Sequence, residues 1–332
     1  MKQYRIAGLE KGCVPFFFGL GLLLGPAASG YDQGDSTIID VPPLASLERS
    51  CELIGRRLAS VDTRDCFEAG LRTSLSASVE GQPLLWRDFR SALPRGNTQR
   101  ILLIGGSHGD EFSSVSIIFQ WMERLAADRF QPFYWRVVPL LNPDGLLRVP
   151  ATRTNARGVD LSRNFPTPEW EQTAQPYWIK RTGRDPRRYP GPSPQSEPET
   201  RWLLRQIQRY RPHVIISVHA PYGVLDYDGP RDPPQRLGYL KLHLLGTYPG
   251  SLGNYAGLYL GVPVITLELP QAGLMPTRSQ VGRIWTDLLL WLDQNLPEGS
   301  PIRTAPLFRE PWRPALGPAQ LPGVPMFSDW LP

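Results

Sequence analysis

Two of the four histidines in the 332-residue sequence stand at the ends of apolar runs that predict buried strands. His108 comes shortly after the run 101–104, and His219 directly follows the run 214–218. Glu111 lies three residues after His108, a spacing that places an imidazole and a carboxylate on one side of a turn. Two histidines and one glutamate are the ligands of a catalytic zinc that keeps one coordination position open. These three residues are therefore candidate metal ligands, and one zinc ion per chain is the expected cofactor.

Each candidate ligand also has an ordinary structural interpretation. A glutamate near the positive end of a helix dipole, beside a surface histidine, would give the same His-x-x-Glu spacing. His219 is more informative, because α/β proteins bind ligands at the carboxyl ends of their strands. The other two histidines are expected to be structural, since His213 begins a strand and His243 lies in a Leu-rich stretch.

A carboxylate interrupts a third apolar run. Glu268 lies within the run 264–269, where strand propensity does not favour it and where burying an unpaired charge is costly. The sequence therefore indicates either a catalytic glutamate or an edge-strand glutamate that forms a salt bridge.

Arginines are concentrated in the segment 153–165, which contains Arg153, Arg157 and Arg163. Guanidinium groups bind carboxylates and oxyanions with two parallel hydrogen bonds. The segment is thus a candidate for substrate binding, and a basic surface loop is the alternative interpretation.

The elements that must position these residues begin at Arg100, where short apolar runs alternate with amphipathic segments. This alternation predicts an α/β fold with a mixed central β-sheet flanked by helices. Strands are predicted at 101–104, 135–141, 213–218 and 262–269, and helices at 113–125, 199–210 and 280–292. Ser196 and Glu199 have the spacing of a capping box at the start of the second of these helices.

Four regions are predicted along the chain: a signal peptide at 1–29, a small helical N-terminal extension at 30–83, a catalytic domain at 84–298 and a tail at 299–332. Apolar residues recur at helical spacing between 44 and 71, and eight of the last 34 residues are Pro. The net charge of +5 includes no long Lys/Arg run, so no nucleic-acid partner is expected. The oligomeric state is not predictable from these features.

The N-terminus predicts export. A basic segment precedes an apolar run at 12–25, and small residues follow at 26–30, as in a secretory signal peptide. As a helix the run would span about 21 Å, less than the roughly 30 Å hydrocarbon core. We therefore expect a periplasmic or secreted protein with no stable membrane span after processing, and an uncleaved inner-membrane anchor is the alternative.

Two cysteines would remain after the signal peptide is removed, Cys51 and Cys66. An even pair in an exported protein is consistent with a disulfide. Two free thiols on neighbouring helices are the alternative.

Together, the segments from about residue 84 to 296 resemble the zinc carboxypeptidases. The resemblance implies that His108, Glu111 and His219 bind zinc and that Glu268 is the general base. It implies that Arg153 stabilises the transition state, that Arg163 binds the substrate carboxylate and that Asp160 orients the first zinc-binding histidine. Substrate contacts are also expected from the residues on either side of Arg163, Ser162 and Asn164, and from a tyrosine, for which Tyr248 is favoured over Tyr255.

Within this family, the short loops and the segments 196–200 and 266–270 resemble bacterial murein peptide amidases, which cut between γ-D-glutamate and meso-diaminopimelate. A murein-derived peptide is therefore the expected substrate. An N-acyl amino acid deacylase resembling succinylglutamate desuccinylase is one alternative, and a non-catalytic cell-wall peptide-binding protein is another. The family usually has Asn where this chain has Ser162, which implies weaker or water-mediated binding of the substrate carboxylate.

Overall fold

A computed structural model of the chain describes residues 47–92 and 98–296, which fall within one compact unit. The predicted signal peptide at 1–29 and the predicted tail at 299–332 lie outside the described residues. Within these bounds, no helix is both long and apolar enough to cross a membrane.

The secondary structure consists of strands and helices that alternate through most of the described chain. The strands are β1 (Arg72–Ala77), β2 (Pro83–Phe89), β3 (Arg100–Ile104), β4 (Tyr134–Val138), β5 (Val214–His219), β6 (Leu225–Asp228), β7 (Arg236–Leu237), β8 (Leu240–Lys241) and β9 (Val264–Glu268). The helices are α1 (Leu47–Arg57), α2 (Thr63–Glu68), α3 (Phe112–Ala127), α4 (Pro143–Leu147), α5 (Trp170–Arg181), α6 (Pro198–Tyr210) and α7 (Arg278–Asn295).

Seven of these strands form one mixed sheet in the order β1-β2-β4-β3-β5-β9-β6. The four central strands, β4, β3, β5 and β9, are parallel, whereas β1, β2 and β6 pair antiparallel. The central strands are apolar on both sides because helices cover both faces of the sheet. Ile101 and Leu103 pack into the core layer that contains α3 and α7, whereas Leu102 and Ile104 pack into the layer that contains α6. The predicted α/β fold with a mixed sheet is confirmed.

The structure corrects the predicted helical extension at 30–83. Within it, α1 and α2 are helical, but β1 is an edge strand that pairs with β2 across the boundary drawn at residue 83. Apolar residues of α1 and α2 also belong to the main core. These residues are therefore part of the same folded unit as the predicted catalytic domain.

A disulfide between Cys51 and Cys66 joins α1 to α2. Both cysteines are fully buried, and the bridge closes a loop of 15 residues. Hydrogen bonds then attach this helical pair to the rest of the protein. Arg57 donates to the carbonyls of Leu146 and Arg148, and the hydroxyls of Ser60 and Ser116 are 2.6 Å apart.

Replacing both cysteines in the variant Cys51→Ala/Cys66→Ala should lower the free energy of unfolding by about 3 kcal/mol, because the unfolded chain is no longer constrained by a 15-residue loop. Denaturant unfolding of the variant and of the oxidised wild-type protein measures the difference. The reduced wild type is the control and should resemble the variant. Equal stability of oxidised and reduced wild type would contradict a stabilising role for the bridge.

The expected capping box does not form. Glu197 is the N-cap residue of α6, and Glu199 is fully buried, where it accepts hydrogen bonds from Asn155 Nδ2 (3.2 Å) and from the backbone N–H of Val79 (3.2 Å). Burial raises the pKa of Glu199 to about 7. The carboxyl group of Glu199 is therefore positioned by contacts with distant segments, and it does not cap its own helix.

The raised pKa of Glu199 predicts a pH dependence of stability. A carboxyl group whose folded-state pKa is raised stabilises the fold fully below its unfolded-state pKa of about 4.5 and loses this contribution as the pH rises through about 7. Over this window the contribution should fall by up to about 3 kcal/mol. Unfolding of Glu199→Gln and wild type between pH 4.5 and 8.5 tests this, because the variant should gain stability relative to wild type as the pH rises. A constant difference between the two proteins would contradict the expected titration.

Candidate active site

The predicted metal ligands meet at one edge of the sheet because β3, β5 and β9 are parallel and their carboxyl ends coincide. The loop after β3 carries His108 and Glu111, and β5 ends at His219. Glu268 ends β9 and pairs in register with His219. All four residues are at most 8% exposed to solvent.

Three of these side chains form a close cluster of potential metal ligands. His108 Nδ1 lies 2.7 Å from Glu111 Oε1, and His219 Nδ1 lies 3.1 Å from both His108 Nδ1 and Glu111 Oε2. Tetrahedral zinc with nitrogen ligands at 2.0–2.1 Å would separate its ligand atoms by about 3.3 Å. Among the described residues, this is the group of His, Cys, Asp and Glu side chains close enough to hold a metal ion. The donor set and its spacing therefore fit zinc.

Hydrogen bonds at the opposite ring nitrogens orient the two imidazoles. His108 Nε2 donates to Asp160 Oδ1 (3.1 Å), and His219 Nε2 lies 2.9 Å from Ser217 Oγ. With these contacts the Nδ1 atoms of both rings face the cluster. Such outer hydrogen bonds fix the tautomer and the orientation of metal-binding histidines.

The loop after β3 lies directly against α4. A Cβ atom added at Gly109 would lie 2.1 Å from the carbonyl carbon of Gly145. Only glycine permits this backbone approach. The contact fixes Gly109 against α4, and Gly109 lies between His108 and Glu111 in the loop.

Asp160 connects the metal cluster to the two arginines. Its carboxylate is fully buried and accepts hydrogen bonds from Arg153 Nε (3.0 Å) and Arg163 Nε (3.2 Å) in addition to the one from His108. Burial raises the pKa of Asp160, but the charges of Arg153, His108 and Arg163 outweigh burial and hold the pKa below its usual range. Asp160 is therefore an anion that fixes the side chains of His108, Arg153 and Arg163.

Arg163 is held between Asp160 and two tyrosines. Its guanidinium carbon lies 4.0 Å from the ring centroid of Tyr248 and 5.7 Å from that of Tyr177. Burial raises the pKa of Tyr248 to about 12, so its hydroxyl stays protonated at neutral pH. Tyr255, the other candidate tyrosine, is fully buried and stacks on Phe165 in the core. Tyr248 is therefore the candidate that lines the cleft, and its role in binding stays a prediction.

Glu268 faces the same cleft as the metal cluster. Among the described residues, its Oε2 atom is buried and has no hydrogen-bond partner. Burial raises the pKa of Glu268, although the nearby histidines oppose this effect. A carboxylate with a raised proton affinity and an unpaired oxygen is suited to accept a proton.

The structure corrects the prediction for Asn164. Its side chain is fully buried outside the cleft, where Nδ2 donates to Pro190 O, Ser193 O and Ser196 Oγ, and Oδ1 accepts from the Glu197 N–H. With these partners, Asn164 holds two loops together, and its side chain does not line the cleft. Ser162, by contrast, lines the cleft, and its N–H donates to Asp160.

The cleft has a volume of about 540 Å³ and includes residues that sequence reasoning missed. They include Tyr177, Arg187, Ser217, Asp226, Asp228 and Thr266. Strand β6 was not predicted, although its Leu-Asp-Tyr-Asp sequence alternates apolar and acidic residues as an amphipathic strand does. That alternation could have identified the two aspartates as neighbours on one face.

Comparison with known proteins agrees with this geometry. The sequence model of a family described as zinc carboxypeptidase matches residues 72–229. The chain is 33% identical over 205 residues to murein peptide amidase A from Vibrio campbellii, covering 60% of this chain and 79% of that protein. It is 32% identical over 221 residues to murein peptide amidase A from Escherichia coli, covering 64% and 87%. The chain belongs to the zinc carboxypeptidase family.

The fold of the family is also found among solved structures. Carboxypeptidase A from Helicoverpa armigera superposes with a TM-score of 0.52 over 73% of this chain and 79% of that chain, at 15% identity. This similarity supports the fold. Family membership and the similar relatives make the chain a hydrolytic enzyme.

The ligand cluster predicts which substitutions remove the metal. His108→Ala and His219→Ala should each lose zinc, because the two remaining ligands bind it too weakly, whereas Glu268→Gln should retain it. Metal analysis of purified protein measures the zinc content. His243→Ala is the matched control, because His243 is exposed and outside the cleft, and it should keep the wild-type content. Stoichiometric zinc in both ligand variants would exclude this site.

Proposed function

We propose that the chain is a zinc-dependent murein peptide amidase that hydrolyses the bond between γ-D-glutamate and meso-diaminopimelate. The observation that carries the proposal is the convergence of His108, Glu111 and His219 in a cleft also lined by Glu268 and Arg163. The murein peptide amidases that are 32–33% identical to the chain support this choice of substrate.

Zinc held by the three ligands would supply a Lewis acid that activates water and polarises the scissile carbonyl. Glu268 takes up the proton of the attacking water at its unpaired oxygen, Oε2, and then delivers it to the leaving amine. Burial of this carboxylate raises its pKa and so increases its proton affinity.

Arg153 is positioned to stabilise the developing oxyanion. Its Nε donates to Asp160 (3.0 Å), and its Nη1 lies 3.5 Å from Glu111 Oε1, so the guanidinium borders the metal cluster. A fixed cation beside the reacting carbonyl stabilises the transition state more than the ground state. Asp160 thereby positions Arg153 before substrate binds.

Arg163 is proposed to bind the free carboxylate of the leaving amino acid. Its Nε donates a hydrogen bond to Asp160, and its guanidinium group lies over the ring of Tyr248. Its terminal nitrogens have no hydrogen-bond partner among the described residues. These nitrogens match the geometry of a carboxylate. Ser162 beside Arg163 has only a short hydroxyl to add to this contact.

We further propose that the protein acts in the periplasm or outside the cell. The buried disulfide between Cys51 and Cys66 supports this location, because disulfides persist in oxidising compartments.

Carboxylate binding by Arg163 predicts the response to a modified substrate. The tripeptide L-alanyl-γ-D-glutamyl-meso-diaminopimelate should be cleaved with a kcat/KM roughly tenfold to a hundredfold above that of the analogue amidated at the α-carboxylate. Arg163→Ala should cause a similar loss on the free tripeptide and little further loss on the amidated one. Ser162→Asn should improve kcat/KM on the free tripeptide only.

Measuring kcat/KM of the wild type and these variants with both tripeptides tests whether Arg163 acts through the α-carboxylate. Equal rates of the wild type on both substrates would contradict a carboxylate-anchored exopeptidase. Cleavage of N-succinyl amino acids without cleavage of either tripeptide would instead favour the deacylase, and zinc binding without hydrolysis would favour a non-catalytic protein.

A further inference from the structure

Arg57, the last residue of α1, connects the disulfide-bonded helices to the surroundings of the metal cluster. Its Nε donates to the carbonyl of Leu146 (2.9 Å), and its Nη2 donates to the carbonyl of Arg148 (3.0 Å). Its guanidinium carbon lies 5.2 Å from the ring centroid of Phe112, within the range of a cation–π contact. Phe112 begins α3 and directly follows the candidate ligand Glu111. Arg57 therefore joins the end of α4 to the start of α3.

The loop that carries the candidate ligands packs on the same part of α4. A Cβ atom added at Gly109 would lie 2.2 Å from the backbone nitrogen of Leu146, so no side chain separates the two segments. The carbonyl of this same Leu146 accepts the hydrogen bond from Arg57. A displacement of Leu146 would therefore displace Gly109, which lies between His108 and Glu111.

The two hydrogen bonds from Arg57 meet a need of this short helix. The carbonyl groups at the end of a helix have no partner within that helix, and α4 is only five residues long. A guanidinium group offers several N–H donors in one rigid plane, so a single side chain can bind two carbonyls in a fixed geometry. The end of α4 is thus fixed by a side chain that belongs to α1.

The disulfide fixes the helix that carries Arg57. Cys51 lies six residues before Arg57 on α1, and its bond to Cys66 joins α1 to α2. The two helices are also in close contact, because a Cβ atom added at Gly55 would lie 2.4 Å from Thr63 Oγ1. A helix of 11 residues is only marginally stable by itself. The covalent bond therefore restricts the positions that the guanidinium group can take.

We propose that Arg57 is a positioning residue for the candidate metal site and that the disulfide between Cys51 and Cys66 keeps it in place. Ligands that are already held at their binding positions lose less conformational entropy when a metal binds, so affinity is higher. The enzyme with the disulfide should therefore bind zinc more tightly than the enzyme without it. Metal affinity does not depend on the substrate, so this role goes beyond the proposed function.

The zinc affinity of the full-length enzyme tests this role, and competition with the zinc chelator pyridylazoresorcinol measures it. Arg57→Ala should raise the Kd for zinc about tenfold, the lower end of the range for residues that orient metal ligands from outside. Arg57→Lys should lie between Arg57→Ala and the wild type, because an ammonium keeps the charge but lacks the planar donors.

Arg56→Ala is the matched control for the loss of charge. Arg56 precedes Arg57 on α1, and its side chain is 70% exposed. This variant should keep the wild-type Kd, because Arg56 extends into solvent away from α4. Should Arg57→Ala fail to fold, the comparison of Arg57→Lys with Arg56→Lys decides by the same criterion.

A double-mutant cycle tests the role of the disulfide. Cys51→Ala/Cys66→Ala should also raise the Kd for zinc, because α1 is then less constrained. Adding Arg57→Ala to this variant should change the Kd by less than about twofold, since both changes act through the same contacts. Fully additive effects would overturn the part assigned to the disulfide.

Amide hydrogen exchange of the zinc-free proteins distinguishes local loosening from general instability. In Arg57→Ala, exchange should be faster than in the wild type at 105–112 and 141–148 and unchanged in the central strand β3. Faster exchange in β3 as well would attribute the lower affinity to general instability and would overturn the proposal.

A wild-type Kd in Arg57→Ala, or an equal rise in Arg56→Ala, would also overturn the proposal while leaving the proposed amidase activity intact. Conversely, a wild type that binds zinc but hydrolyses no murein peptide would contradict the proposed function alone. A wild type that binds no zinc would contradict the metal site and the role of Arg57 together.

Discussion

The buried Asp160 carboxylate is the interaction on which the rest of the site depends. Removing a carboxylate from water is costly unless charged donors surround it, and here His108, Arg153 and Arg163 all donate to it. The same anion therefore orients a candidate metal ligand and the two arginines that we propose to contact the reacting carbonyl and the substrate carboxylate. Loss of this one carboxylate would release all three side chains together and remove the hydrogen-bond acceptor of both guanidinium groups.

The parallel arrangement of β3, β5 and β9 is the second constraint. It brings residues separated by more than 100 positions in sequence to one edge of the sheet, as in the contact between His108 and His219. The antiparallel pairing of β6 with β9 has a different effect, since it places two aspartates along the cleft floor below that edge. The same sheet therefore carries the candidate metal ligands at its edge and the polar floor of the cleft below them.

Much of this arrangement was predictable, because His108, His219 and Glu268 lie at or near the ends of apolar runs whose strand character is unambiguous. The roles of Arg153 and Arg163 depended on the family resemblance. Asn164 and Glu199 were misassigned because their partners lie elsewhere in the chain, 26 residues away at Pro190 and 120 residues away at Val79. Local spacing does not carry such information, and the short strands β1 and β6 are defined chiefly by their pairing.

The contact between Gly109 and Gly145 has a consequence for how the sequence can vary. Because the two backbones touch directly, no change of a neighbouring side chain can compensate for a larger residue at position 109. A comprehensive substitution library should therefore show position 109 to be as intolerant as His108 and Glu111, which lie on either side of it, although glycine takes no part in the chemistry. The strongest constraint on the sequence of the loop after β3 would then be the lack of room for a side chain at position 109.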